Sequence, residues 1–428
     1  MGGAGYCRLG RPGLDSADDL RCEGGMKRRR SILDLLWLIA LLPGVTSTAR
    51  AAEQCGVCHP RPRVAFAASI HALEQVSCTS CHGGDAETQD VERAHAGSFR
   101  SLRDRLAIPE MCASCHSDLK KMSAYNLPVD QYAVYQTSQH GKAIASGDPR
   151  AAVCTDCHGV HEIYSAADPR SSAAARHLPA TCGSCHSDED RMARYGLDPG
   201  VVEDYKAGIH GRSLLEAGNS AAPNCTSCHG VHGATPPGVG DIDKVCGACH
   251  VQTRRAFLDG PHYQGMTEAG LPECASCHSN HAIQRRDVAS IDTLCAECHG
   301  EGSDQAILGS KMHTLIEAAT VEVDKAEALA LEGQRAALDV EDHLGRIEEA
   351  RTYLTEALPL AHSVTLEPVE QVTRRARSIG EEVQHEIYGK LDRTEAHIGL
   401  VVFWFYVLMT LVILYLLKRR LSSGVETP

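Results

Sequence analysis

Cys154-Thr-Asp-Cys157-His158-Gly-Val-His161 is the stretch on which the reading of this 428-residue chain turns. Its core, Cys-x-x-Cys-His, sets two thiols one helical turn apart with an imidazole directly behind them. That is the attachment pattern of a c-type haem: the thiols add to the porphyrin vinyl groups and the histidine binds iron from one face. The pattern occurs nine times, at Cys55/Cys58/His59, Cys78/Cys81/His82, Cys112/Cys115/His116, Cys154/Cys157/His158, Cys182/Cys185/His186, Cys225/Cys228/His229, Cys246/Cys249/His250, Cys274/Cys277/His278 and Cys295/Cys298/His299. One such cysteine pair reads equally well as a zinc or disulfide site, but nine with histidine always in fifth place do not. These motifs use 18 of the 20 cysteines and leave only Cys7 and Cys22.

Aromatic residues make up 4% of the chain and only five residues are phenylalanine, so large side chains for a polypeptide core are scarce. With about 27 residues per motif between Cys55 and His299, porphyrin is expected to supply the interior, with little sheet. The formal charge of −13 argues against nucleic acid as a partner.

Read in pairs, the motifs reveal a repeat. Its strongest unit runs His-Gly, a spacer, C-T-x-C-H-G-V-H, a loop, then C-G-x-C-H; it spans His140 to His186 and again His210 to His250. A third copy, His262 to His299, carries Ser279-Asn280 before His281. A fourth, His71 to His116, has Asp85 where the others have histidine, with His95 ten residues further on, and the motif at His59 stands outside the pairing.

Nine irons each need a second axial ligand, and ten histidines outside the motifs lie between Ala52 and His313. His177 has no counterpart in the other units and is set aside. The distal candidates are then His71, His95, His140, His161, His210, His232, His262, His281 and His313. His161 lies three residues after His158, too close to pass around the porphyrin edge, so His161, His232 and His281 are expected to serve a neighbouring haem. Two imidazoles per iron imply low potentials, because methionine is the ligand that raises them.

Residues 1–51 read as a leader with translation starting at Met26: Lys27 to Arg30 and the apolar stretch from Ile32 form a secretory signal, and Ala49-Arg-Ala51 a cleavage site. An uncleaved anchor is the alternative; either exports the motifs. The nonahaem domain is expected over 52–313. Beyond it, apolar and small residues from Ile316 through Val323, Ala330, Leu344 and Ile347 to Leu358 keep a heptad spacing. Pro359 ends this helix and a second starts at Pro368, with Val369, Val372, Ala376, Ile379 and Val383 on one face. These give a helical stalk or hairpin over 314–396, with possible pairing between copies. A first helix of roughly 70 Å against a second of roughly 40 Å must bend or break, at Gly333 or Gly345, or else pair only in its C-terminal half. Ile398 to Leu417 holds no charge and is long enough to span a bilayer. Lys418-Arg419-Arg420 places the C-terminus inside, giving a transmembrane helix over 397–420 and a cytoplasmic tail over 421–428.

The expected fold is therefore mainly α with extensive coil: tandem dihaem modules packed around nine haems, a long helical hairpin or coiled coil, and one C-terminal transmembrane helix. The motifs and distal histidines of residues 55–313 resemble the low-potential multihaem cytochromes c, the superfamily of the class III cytochromes and the membrane-anchored quinol dehydrogenases of the NapC/NirT type. Those dehydrogenases carry four or five haems on an N-terminal anchor; here nine motifs precede a C-terminal one. The resemblance implies nine covalently bound haem c groups and electron transfer on the outer face of the inner membrane, between a quinol-oxidising subunit or other redox protein and periplasmic acceptors. The alternative is a multihaem reductase of nitrite, hydroxylamine or a sulfur oxyanion, which needs an iron with an open axial position; His82 and His116 mark where such a haem would sit.

Overall fold

The structure, a computed structural model, describes residues 53–238 and 241–422. The leader, the cleavage site, Cys7, Cys22 and the last six residues of the tail lie outside them. The described residues are helical and contain no strand.

From Cys55 to His299 the chain runs through helices of four to nine residues joined by turns. The first motif of each repeat is an isolated turn of helix, as in Cys78–His82, Cys154–His158 and Cys225–His229. Each of these three stops on a glycine with positive φ: Gly83 at 67°, Gly159 at 85° and Gly230 at 83°. A left-handed residue there turns the chain sharply after the histidine, which is why glycine follows the motif. In the last copy Ser279 holds the same conformation at 64°, at a cost glycine avoids. In three of the four repeats the second motif closes a longer helix, Ile108–His116, Leu178–His186 and Ile291–His299, whereas in the other the helix Ile242–Gly247 stops before His250.

The repeats are tied together through backbone. The amide of Ile70, before His71, donates to the Ile163 carbonyl two residues after His161; Gln139, before His140, donates to Ala234; Ile209, before His210, donates to Ile283. Each module thus holds the next by one hydrogen bond at an equivalent place. Side chains of this region line one continuous cavity of about 3800 Å³, on which all nine motifs open.

The apolar clusters lie elsewhere. After residue 303 three helices, Asp304–Arg335, Glu341–Leu360 and Leu366–Ser422, pack pairwise into a bundle. Ala319, Val323, Ala326, Ala330, Ile347, Ala350, Ala376, Val383 and Ile387 form its main core, with Ile316, Ala357 and Val369 in a second cluster. Full burial of each valine or isoleucine contributes about 1.5–3 kcal/mol. The heptad seam is consequently covered within the chain, by a third helix the sequence pattern did not separate.

The break falls at Ala336–Val340, just beyond Gly333. Leu338 N–H donates to the Gly333 carbonyl and Ala337 N–H to that of Gln334, while Ala337 takes φ 58°. This is a Schellman end with alanine in the left-handed position. Gly333 itself faces inward, where Val340 and Ile387 close on it. The third bundle helix continues unbroken into the apolar run after Ile398, whose side chains are exposed; this one helix is long and apolar enough to cross a membrane.

Candidate haem sites

The histidines outside the motifs are placed by short helices with defined starts. Ser138, fully buried, caps the helix of His140 by accepting from Gly141 N–H at 2.9 Å, and Ser69 does the same for the helix of His71 through Ala72. A Cβ on Gly141 would collide with the Tyr135 carbonyl, and one on Gly211 with the Tyr205 carbonyl. The glycine of each His-Gly pair is therefore a packing requirement of the sharp corner that aims the preceding imidazole. Tyr135 and Tyr205 hold these corners from matching positions, donating to Ala152 and Pro223; burial pushes the Tyr205 hydroxyl up to about 12.

Every motif histidine faces one histidine from outside the motifs. His71 faces His116, His140 faces His186, His210 faces His250 and His262 faces His299, at ring-centroid distances of 6.0, 6.1, 6.3 and 6.0 Å. His161 faces His82 at 6.2 Å, His232 faces His158 at 6.1 Å and His281 faces His229 at 6.0 Å. His95 faces His59 at 6.2 Å, and His362 faces His278 at 6.1 Å. Imidazole binds a transition metal at about 2.0–2.1 Å, so two imidazoles opposed across one iron have centroids roughly 6 Å apart. All nine pairs meet that condition.

Seven of the nine pairs obey one rule. The histidine that opens a module faces the second motif histidine of its own module. The histidine following the first motif faces the first motif histidine of the preceding module, two motifs back along the chain, so the neighbour served by His161 is the haem site of His82 and not the adjacent one at His116.

Two histidines stand apart. His177 donates Nδ1–H to the Ser171 carbonyl. His313, expected as the ninth distal ligand, instead sets Nδ1 at 2.6 Å from Asp292 and Nε2 at 3.5 Å from Glu317. Its Nδ1 is engaged by Asp292, and among the described residues no motif histidine lies opposite it. The imidazole opposite His278 is that of His362, on the turn Ala361–Ser363 between the second and third bundle helices. His362 lies outside the cysteine-bearing region and no repeat surrounds it, so counting histidines up to His313 missed it.

Burial pushes the imidazoles of His140, His158, His186 and His278 below their ordinary range. Neutral imidazole is the form that binds a metal. Among the described residues no three His, Cys, Asp or Glu side chains converge on a common centre, as a zinc site would require.

Thiols of successive motifs lie beside one another in chain order. First cysteines lie within hydrogen-bond reach at Cys112 and Cys154, Cys182 and Cys225, and Cys246 and Cys274, and the charge of Cys55 acts on Cys78. Second cysteines are near enough for the charge of one to act on the next: Cys115 on Cys81, Cys185 on Cys157, Cys249 on Cys228 and Cys298 on Cys277. Two kinds of junction alternate, one between modules and one within them, and together they run from the first motif to the last without a gap.

Residues 70–187 match the family model of cytochrome c3. The match supports a multihaem c-type cytochrome with covalently bound haem c and a role in electron transfer with redox partners. No curated protein and no solved structure matches the chain.

Proposed function

We propose that the chain is a nine-haem electron conductor, with haem c at each motif and iron between the paired imidazoles. His95, His71, His161, His140, His232, His210, His281 and His262 are the second axial ligands at His59, His116, His82, His186, His158, His250, His229 and His299. The observation that carries the reading is the pairing itself: each motif histidine has an imidazole opposite it at the spacing one iron needs. A reductase with an open iron would need a motif histidine without such a partner.

Haem c supplies reversible one-electron chemistry, and the chain supplies order. Because the motif cysteines neighbour one another in sequence order, electrons would pass between the site of His59 and that of His299 in either direction, each module contributing two steps. A histidine that reaches back two motifs would hold the haem of the preceding module and so tie successive sites into one fixed arrangement.

The C-terminal helix anchors this conductor to the inner membrane, with the haem region on the periplasmic side and the basic residues Lys418 to Arg420 inside. From Leu366 to Ile398 the helix extends about 48 Å at ~1.5 Å per residue. The sites of His278 and His299, which adjoin the far end of the bundle, therefore stand well clear of the bilayer. A quinol-oxidising partner serving that end must raise its own redox centre above the membrane, or pass electrons through a soluble carrier. Pyridine haemochrome assay is expected to give nine haems per chain, with every iron low-spin in the oxidised protein. Fewer haems, or one iron's worth of high-spin signal in the wild type, would refute the reading.

A further inference from the structure

The pairing rule leaves one iron without a ligand from the haem region. The first haem of each module receives its second histidine from the module that follows, and the module of His262 to His299 has no successor. His278 is its first motif histidine. What occupies the successor's place is the turn between the second and third bundle helices.

Four features of that turn fit the role. His362 faces His278 with ring planes 20° apart, close to the 18–24° of the pairs His229–His281 and His158–His232. Its Nδ1 lies 3.0 Å from the Leu358 carbonyl; a donated hydrogen bond there leaves Nε2 as the free nitrogen, the arrangement typical of a metal-bound histidine. The backbone tie that joins the other modules is replaced. At the position equivalent to Ile70, Gln139 and Ile209 stands Pro261, which has no N–H to donate, and beside it Gly260 approaches the carbonyls of His362 and Ser363 so closely that a Cβ would sit 3.0 and 2.8 Å from them. Finally, Val364 holds φ 53°. A β-branched residue in the left-handed region is strained and persists only where its surroundings over-determine it.

We infer that the helical bundle supplies His362 as the axial ligand opposite His278, so that the haem of Cys274 and Cys277 is held jointly by the haem region and the bundle. The inference rests on the nine-haem reading. It makes the bundle part of the redox chain: the helix that enters the apolar segment begins four residues after an iron ligand.

The test is electron paramagnetic resonance of the detergent-solubilised, full-length oxidised protein, comparing His362→Ala, His362→Met and His313→Ala with the wild type. One iron in nine is expected to become high-spin in His362→Ala. His362→Met should keep all nine low-spin while one haem's midpoint potential rises, and His313→Ala should match the wild type. The bundle's thermal transition should fall in His362→Ala and recover in His362→Met, which keeps a ligand. Nine low-spin irons in His362→Ala with unchanged potentials would overturn the assignment and leave the conductor standing. So would one open iron in His313→Ala in place of His362→Ala. A wild type already carrying an open iron would overturn both.

Discussion

Gly211 offers a steric test of the distal sites that leaves every ligand in place. The helix Ile209–Leu215 starts on His210 and turns off the preceding helix so tightly that a Cβ at Gly211 would overlap the Tyr205 carbonyl oxygen and lie 2.8 Å from the Lys206 Cα. Ordinary contact begins at about 3.4 Å, so Gly211→Ala must push the first turn of this helix away by roughly 0.6 Å against Lys206 and further against the carbonyl. Overpacking of this kind costs about 1–3 kcal/mol. The imidazole of the adjacent His210 moves with the turn, and an iron–nitrogen bond of about 2.0 Å does not stretch by such an amount. The haem of Cys246 and Cys249 should therefore lose its second ligand. Carbon monoxide titration of the reduced protein measures this directly: about one equivalent per nine haems in Gly211→Ala, none in the wild type. Gly265→Ala is the control, on the helix of His262 with nothing within 4 Å of the new methyl; it should bind none and stabilise its helix by up to about 1 kcal/mol. A Gly211→Ala protein that binds no carbon monoxide and keeps wild-type potentials would refute the argument that this corner aims a ligand.

If His161 and His82 flank one iron, His161→Ala and His82→Met each disturb one low-spin signal and the double variant disturbs the same single signal, whereas His161→Ala with His158→Met disturbs two; additive loss in the first pair would refute the two-back rule. The rings of His59 and His95 are 82° apart while those of His229 and His281 are 18° apart. Near-perpendicular imidazoles leave two iron d-orbitals almost degenerate, so a large-g low-spin signal is expected and should vanish in His95→Ala. In the bundle, the hydrogen bond from Arg346, reinforced by His343, holds the Glu386 carboxyl below its usual value of 4.5. A carboxyl depressed by folding stabilises above that value and ceases to as pH falls through its folded value. Wild type should exceed Glu386→Gln by about 0.2–1 kcal/mol at pH 6, with the gap closing below pH 4 in thermal melts. Ala337→Gly relieves the left-handed alanine and should raise bundle stability by up to about 1 kcal/mol; an unchanged melting midpoint would count against the strain.

What could be read from the sequence was whatever repeats. The motifs, the histidines that recur inside the modules and the glycine after three of the four first motifs are tied to local chain geometry, so recurrence exposes them. The break between the first two bundle helices was less legible because the left-handed position carries Ala337 while the glycine sits four residues earlier, facing the core at Gly333. The seam of small residues was visible, but spacing alone does not tell a two-stranded pairing from three helices closing on one core. His313 failed for a different reason. It satisfied a count, but a count takes no account of place: Asp292 holds its Nδ1, and among the described residues no motif histidine stands opposite its ring.

A chain of modules in which each supplies a ligand to the one before must end in a mismatch at both ends, much as solenoid repeats need distinct caps. At the N-terminal end an unpaired motif, His59, precedes the first module, and Asp85 stands where a reaching histidine would be. His95, ten residues further on, makes that contact. At the C-terminal end His278 waits for a module that does not exist, and His362 answers it. The two capping histidines share a device: His95 sets Nδ1 at 2.8 Å from the Val91 carbonyl and His362 sets Nδ1 at 3.0 Å from the Leu358 carbonyl, each four residues back. Within the array a ligand is aimed by the corner of its module. At the ends, where no module adjoins, a helical turn fixes the imidazole by its own carbonyl and leaves the other nitrogen directed at iron. On the proposed reading the bundle is more than a stalk: cutting the chain before residue 361 would remove the cap from the last module, and with it the proposed sixth ligand of one haem.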